Sequence, residues 1–153
     1  MTKHERALAS AFENLERSAT RLNAASDKLN EVLKDAERRL VALNVGYECW
    51  LDGDDQVFAE AQYHEWCFGF TQPRADWCLA VLHKTYPHPE YDPEDADVKE
   101  EIIPLSEAPR AVRIAAIAAL PLLLARLTAM ADDAYARITG EQAQGAGGQG
   151  PRA

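Results

Sequence analysis

The sequence predicts an α+β protein. Its order is a long N-terminal heptad helix, a three- to four-stranded antiparallel sheet, a long Pro-kinked C-terminal helix and a disordered Gly/Gln tail. Three observations carry this reading. A 3.5-residue apolar repeat runs through the first forty residues, the middle third changes to aromatic and β-branched strand material, and a charge-free apolar run with one proline follows. The boundaries this implies are a helix at 4–44, a sheet at 45–104 and a helix at 106–138. Together they make one domain over 1–139, followed by a tail at 140–153.

The heptad is the clearest pattern. Position d holds Leu8, Leu15, Leu22, Leu29, Ala36 and Leu43, and position a holds Phe12, Ala19, Ser26, Leu33 and Leu40. This is the seam repeat of a coiled coil, and from Leu8 to Leu43 it spans about 50 Å at ~1.5 Å per residue. Gly46, a permissive residue just past the last periodic position, marks the stop. A two-stranded zipper flanks its seam with complementary charges, yet here the flanking positions are mostly small or neutral (Ala11, Ser18, Ala25 and Val32 on one side, Ala9, Asn23 and Asn30 on the other). The stripe is therefore wider than a zipper seam. It suits packing into a bundle or onto a sheet better than a simple parallel dimer. Leu8, Phe12, Leu15, Leu22, Leu29, Leu33 and Leu40 are the candidate helix-packing or oligomerisation residues.

In the middle third, Val45–Leu51, Tyr63–Thr71 and Trp77–Lys84 read as strands, with turn residues at 52–55 and 72–76 between them. Pairing Phe70 with Trp77 sets Phe68 against Leu79, Trp66 against Val81 and His64 against His83. One hairpin face is then aromatic and aliphatic core, and the other holds the small residues Cys67, Gly69, Cys78 and Ala80. Three prolines make 85–96 an extended loop, and Val98–Pro104 adds a short edge strand. The last helix is expected to open at Ser106 as N-cap with Pro109 in its first turn, and to kink or divide at Pro121. Between Arg113 and Arg126 it is apolar on every side, so it needs cover all round, from the sheet and the N-terminal helix or from a second subunit. Five of the eight glycines fall in the last fourteen residues, a composition that does not bury apolar surface.

Composition bounds the function. The chain of 153 residues has 25 acidic and 16 basic side chains, a net charge of −9, and 47% apolar residues, enough to fold. The charge is unevenly placed: residues 1–45 and 106–153 carry +1 each, whereas 46–105 carry −11. A direct nucleic-acid binder needs a basic face, so that class is set aside. The opening residues show no apolar stretch with a small-residue cleavage site, and the longest charge-free apolar run, Ile114–Ala125, is twelve residues against about 20 for a span. Three widely spaced cysteines fit reduced thiols. A cytoplasmic protein without membrane contact is expected.

No motif carries chemistry. His64, Cys67, Cys78 and His83 share one hairpin, but offsets of three and five put each Cys and its nearest His on opposite faces of a regular strand, which disfavours a metal site. No cysteine opens a helix, where its thiol would be activated, and no Gly-rich loop joins a strand to a helix. The expectation is a non-enzymatic protein without cofactor or metal. The His64–His83 pair reads first as a partly exposed pair at a strand end, with loosening of the hairpin end when the rings are charged as the alternative. The densest acidic stretch, with Tyr91, Asp92, Glu94, Asp95, Asp97, Glu100 and Glu101, is either a solubilising loop or a face for a protein with a basic surface. The resulting reading is an interaction and oligomerisation module, an adaptor or chaperone-like protein that forms homo-oligomers. The alternatives are an acidic inhibitor that mimics nucleic-acid charge to block a nucleic-acid-binding protein, and a small Cys/His metal- or thiol-dependent enzyme.

Overall fold

A computed structural model of the chain describes residues 1–51, 58–61, 64–87 and 97–141, with the backbone alone at 58–61. The elements are α1 (Lys3–Leu43), β1 (Cys49–Trp50), β2 (Phe58–Ala61), β3 (His64–Thr71), β4 (Cys78–Thr85), β5 (Lys99–Pro104) and α2 (Arg110–Thr139). The fold is α+β, with a helix on each side of an antiparallel sheet in chain order. The Gly/Gln tail, the loop acids Asp92, Glu94 and Asp95, and Tyr91 lie outside the described residues.

A capping box starts α1. The Thr2 hydroxyl accepts from Glu5 N–H at 3.2 Å, and the Glu5 carboxylate accepts from Thr2 N–H, so two otherwise orphaned donors are satisfied. The helix ends at Asn44 rather than Gly46. Asn44 takes the left-handed conformation (φ 48°), which an asparagine tolerates better than most side chains. Its 41 residues make a rod of about 60 Å.

The sheet runs β1-β3-β4-β5, and β2 also pairs with β3. The faces expected of the β3–β4 hairpin are present, but the register differs by two residues. Phe70 pairs with Leu79, Phe68 with Val81 and Trp66 with His83. The connection is longer than the expected turn and includes Trp77; Gln72 spans it by donating to the Ala75 carbonyl at 2.6 Å. Trp77 therefore folds back to stack on Phe70 (centroids 5.2 Å apart) instead of pairing across from it. A shift of two keeps side-chain parity, so every residue stays on its expected face. Two further strand expectations need correction. Only Cys49–Trp50 of the 45–51 segment is strand, and β2 falls in a stretch the sequence reading left unassigned.

The core lies where Trp66, Phe68, Phe70, Leu79 and Val81 meet Leu33 and Leu40 of α1 and Val112, Ala116, Leu120, Leu123 and Leu127 of α2. Each large side chain buried there contributes about 1.5–3 kcal/mol relative to exposure. One polar contact fixes α1 against the sheet. Leu79 N–H lies one residue beyond the last β4–β5 pair, Ala80–Pro104, and donates to the Glu37 carboxylate at 2.8 Å. On the opposite face the ring of Trp50, which pairs with Gly69 in the β1–β3 ladder, and the Cys49 carbonyl occupy the space a side chain at position 69 would fill.

The start of α2 differs from expectation. Leu105–Glu107 form a 3-10 turn containing Ser106, and the α-helix begins after Pro109, which caps it without a side-chain hydrogen bond. Ala108 precedes Pro109 and takes the extended backbone (φ −70°, ψ 154°) that a residue before proline favours, so the turn ends there and the helix starts only after the proline. Pro121 does not divide α2. It sits on the exposed side of the helix. Nor is α2 covered all round, since α1 contacts it only in part and its outer face is open. By length and composition α2 is a helix able to cross a membrane, although its inner face packs the sheet.

Candidate functional site

The heptad residues divide sharply. Ser26, Leu33 and Leu40 are buried and Leu29 and Ala36 pack against the core. Leu8, Phe12, Leu15 and Leu22, on the same seam, are 59, 54, 62 and 47% exposed. None of the first 25 residues is buried. The boundary falls at Asn23, whose side-chain oxygen accepts from the Arg110 guanidinium at 2.9 Å, at the first residue of α2. One helix thus has an inner half that builds the core and an outer half that carries the same apolar pattern into solvent.

The acidic face is less uniform than its charge suggests. Of the fourteen acids in 46–105, seven lie in the undescribed stretches 52–57 and 88–96. Two of the others serve the fold. Glu48 accepts from the Thr71 hydroxyl. Glu65 accepts from Tyr86 at 2.6 Å and from the Cys67 thiol at 3.2 Å, with Lys84 3.9 Å away. Glu100 and Glu101 are exposed on the sheet-edge strand β5 and Asp97 just before it, but Glu100 is in register with Lys84, and Lys99 precedes it. These charges, with Pro104, blunt the open edge against pairing with another strand. Composition gives no sign that Glu48 and Glu65 are used internally, because both contacts depend on tertiary pairing.

Tyr86, the Cys67 thiol and Lys84 together hold the Glu65 carboxyl below its ordinary value of 4.5; the Tyr86 hydrogen bond is the largest influence, and desolvation opposes it. The same bond raises the Tyr86 hydroxyl. A carboxyl depressed in the folded state contributes stability above its unfolded value and loses it as pH falls through its folded value. Tyr86→Phe is therefore expected to cost up to about 1 kcal/mol at neutral pH, given the partial exposure of the group. That difference should shrink toward zero as pH falls below 4.5, and urea unfolding of both proteins across pH 3–7 measures it.

The histidines meet despite the shifted register. His64 Nδ1 lies 3.1 Å from His83 Nε2, and His83 stacks on Trp66 with centroids 3.9 Å apart and planes at 3°. His64 is in register with Thr85, so the two rings meet diagonally. Cys67 and Cys78 are on the opposite face. Among the described residues no group of three or more His, Cys, Asp or Glu converges on a possible metal position. The Cys78 thiol is raised, first by burial and then by Glu37 and Asp76, which keeps it protonated and a poor nucleophile. A hollow of about 230 Å³ between α1 and the sheet, lined by Leu33, Glu37, Leu79 and Arg113, is smaller than the usual ~300–1,000 Å³ of a small-molecule pocket.

The sequence reading missed one surface. Ala111, Ile114, Ala118, Pro121, Leu122 and Ala125 form an exposed apolar stripe on α2, with Ile114 46% and Leu122 40% exposed. The lack of charge between Arg113 and Arg126 is the available signal: it calls for cover by the sheet and α1 or by a second subunit, without saying which residues stay open in the single chain. Fold and surface together define an α+β protein with two open apolar helix faces and an acidic sheet edge. No family model, curated protein or solved structure matches the chain.

Proposed function

We propose that the protein is a non-enzymatic interaction module that assembles with itself through the outer half of α1. It presents its acidic sheet-and-loop side to a protein with a basic surface. One observation carries this reading: the seam buried at Ser26, Leu33 and Leu40 continues uncovered at Leu8, Phe12, Leu15 and Leu22. Isolated exposed leucines are ordinary, but four large side chains at heptad spacing on one helix face make a contiguous strip of the kind that marks an interface. Covering each half-exposed side chain contributes about 1 kcal/mol. The helix is already formed and capped, so ordering it adds no further cost on association.

Multi-angle light scattering on the full chain tests the reading. The wild-type protein is expected to run as an oligomer at micromolar concentration and Leu15→Glu as a monomer. Because Leu15 is exposed in the single chain, its replacement should leave helix content by circular dichroism unchanged. A monomeric wild-type protein would overturn the proposal.

A further inference from the structure

We infer that the outer half of α1 in one copy lies along the outer face of α2 in a second copy, and reciprocally, closing a two-fold dimer through two equivalent helix-on-helix contacts. The inference rests on the reading that the chain self-assembles, and it names both surfaces of the contact.

The two unpartnered faces complement each other in relief. On α1 the row Leu8, Phe12, Leu15 and Leu22 stands out as large side chains. On α2 the outer face is shallow, with Ala111, Ala118 and Ala125 spaced by seven residues and Ile114, Pro121 and Leu122 standing above them. Helices pack by seating the ridge of one in a groove of the other, and close approach requires large residues opposite small ones. Pairing the α1 row with its own copy leaves the α2 stripe bare, and pairing the α2 stripe with itself leaves the α1 row bare. The faces also match in length: 8–22 and 111–125 each cover fifteen residues, a rise of about 21 Å. Neither span holds a charge on the contact positions named.

The contact must be made between chains. α1 is one continuous helix that meets the first residue of α2 at Asn23, and a rod cannot turn residues 8–22 back onto the far side of the helix it has just touched. Two copies of each contact cover on the order of 1,200 Å², the size of a small specific interface. A two-fold arrangement uses the same two patches on both subunits, so the pair closes on itself. A bilayer is the competing occupant of an apolar helix face, but it gives no reason for a ridged face and a shallow face of equal length.

Charge substitution with complementation tests the inference. Leu15→Glu and Ala118→Glu each place one carboxylate in the centre of one face, at positions exposed in the single chain. Each variant alone is expected to dimerise at least tenfold more weakly than wild type by sedimentation equilibrium, with helix content unchanged. Their equimolar mixture is expected to recover heterodimer, because one of its two contacts joins two unaltered faces. If Ala118→Glu dimerises like wild type while Leu15→Glu does not, or if the mixture recovers nothing, this inference falls and the self-assembly reading stands. A wild-type protein that is monomeric, including one that sediments with phosphatidylcholine vesicles as a monomer, overturns both.

Discussion

Phe68→Ala is expected to lower the unfolding free energy by about 3–5 kcal/mol, a large share of the total for a domain of this size. Phe68 has no exposed surface, sits mid-strand in β3 and pairs with the equally buried Val81. Above it are side chains from both helices, so removing the ring opens a void that no single element can collapse into. Urea unfolding followed by circular dichroism measures the loss, and Phe68→Leu, which keeps most of the volume, should lose much less. A loss below about 1 kcal/mol for the alanine variant would show that the helix layer closes onto the sheet, contrary to the packing described.

Gly69→Ala is expected to be nearly as damaging, at about 3 kcal/mol, for the opposite reason. A Cβ there would lie 2.3 Å from Trp50 Cε3, 2.6 Å from Cδ2 and 2.7 Å from the Cys49 carbonyl oxygen. The ring can swing aside, but the carbonyl moves only if β1 leaves β3. The two causes separate in a double-mutant cycle. Trp50→Ala added to Gly69→Ala should relieve the ring clash and leave the backbone clash, so the double variant recovers part of the loss and not all of it. Full recovery would show that β1 yields freely, and no recovery that the backbone contact dominates.

Much of the fold was legible because it rests on periodicity. The spacing of Leu8 to Leu43 predicts α1, and the alternation of Trp66, Phe68 and Phe70 with Cys67 and Gly69 predicts a two-faced strand. Alternation fixes parity but not register, so the two-residue shift in the β3–β4 pairing was invisible. It was set by the length of a turn whose hydrogen bond, Gln72 to Ala75, is not a sequence pattern. The start of α2 was misplaced for a related reason. Ser106 is a good cap by type, but the extended backbone of Ala108 before Pro109 delays the helix until after the proline.

The interface was legible only in part. A heptad says that a helix face needs a partner and does not say whose. Leu33 and Phe12 both stand at position a of the repeat, yet one is 6% and the other 54% exposed. The same limit applies to charge. Glu65 and Glu100 count equally toward −11, but one is held by Tyr86, Cys67 and Lys84 and the other is exposed on the edge strand.

The continuity of α1 has a mechanical consequence. Its inner arm is seated by Leu33, Leu40 and the Glu37–Leu79 bond, and its outer arm, of similar length, reaches beyond the body of the protein. A helix is stiff over this distance, so the rod behaves as a lever with its fulcrum near Asn23 and Arg110. Sideways force on Leu8 or Phe12 is delivered as torque on the sheet, and a grip on the outer arm steadies the core it is joined to.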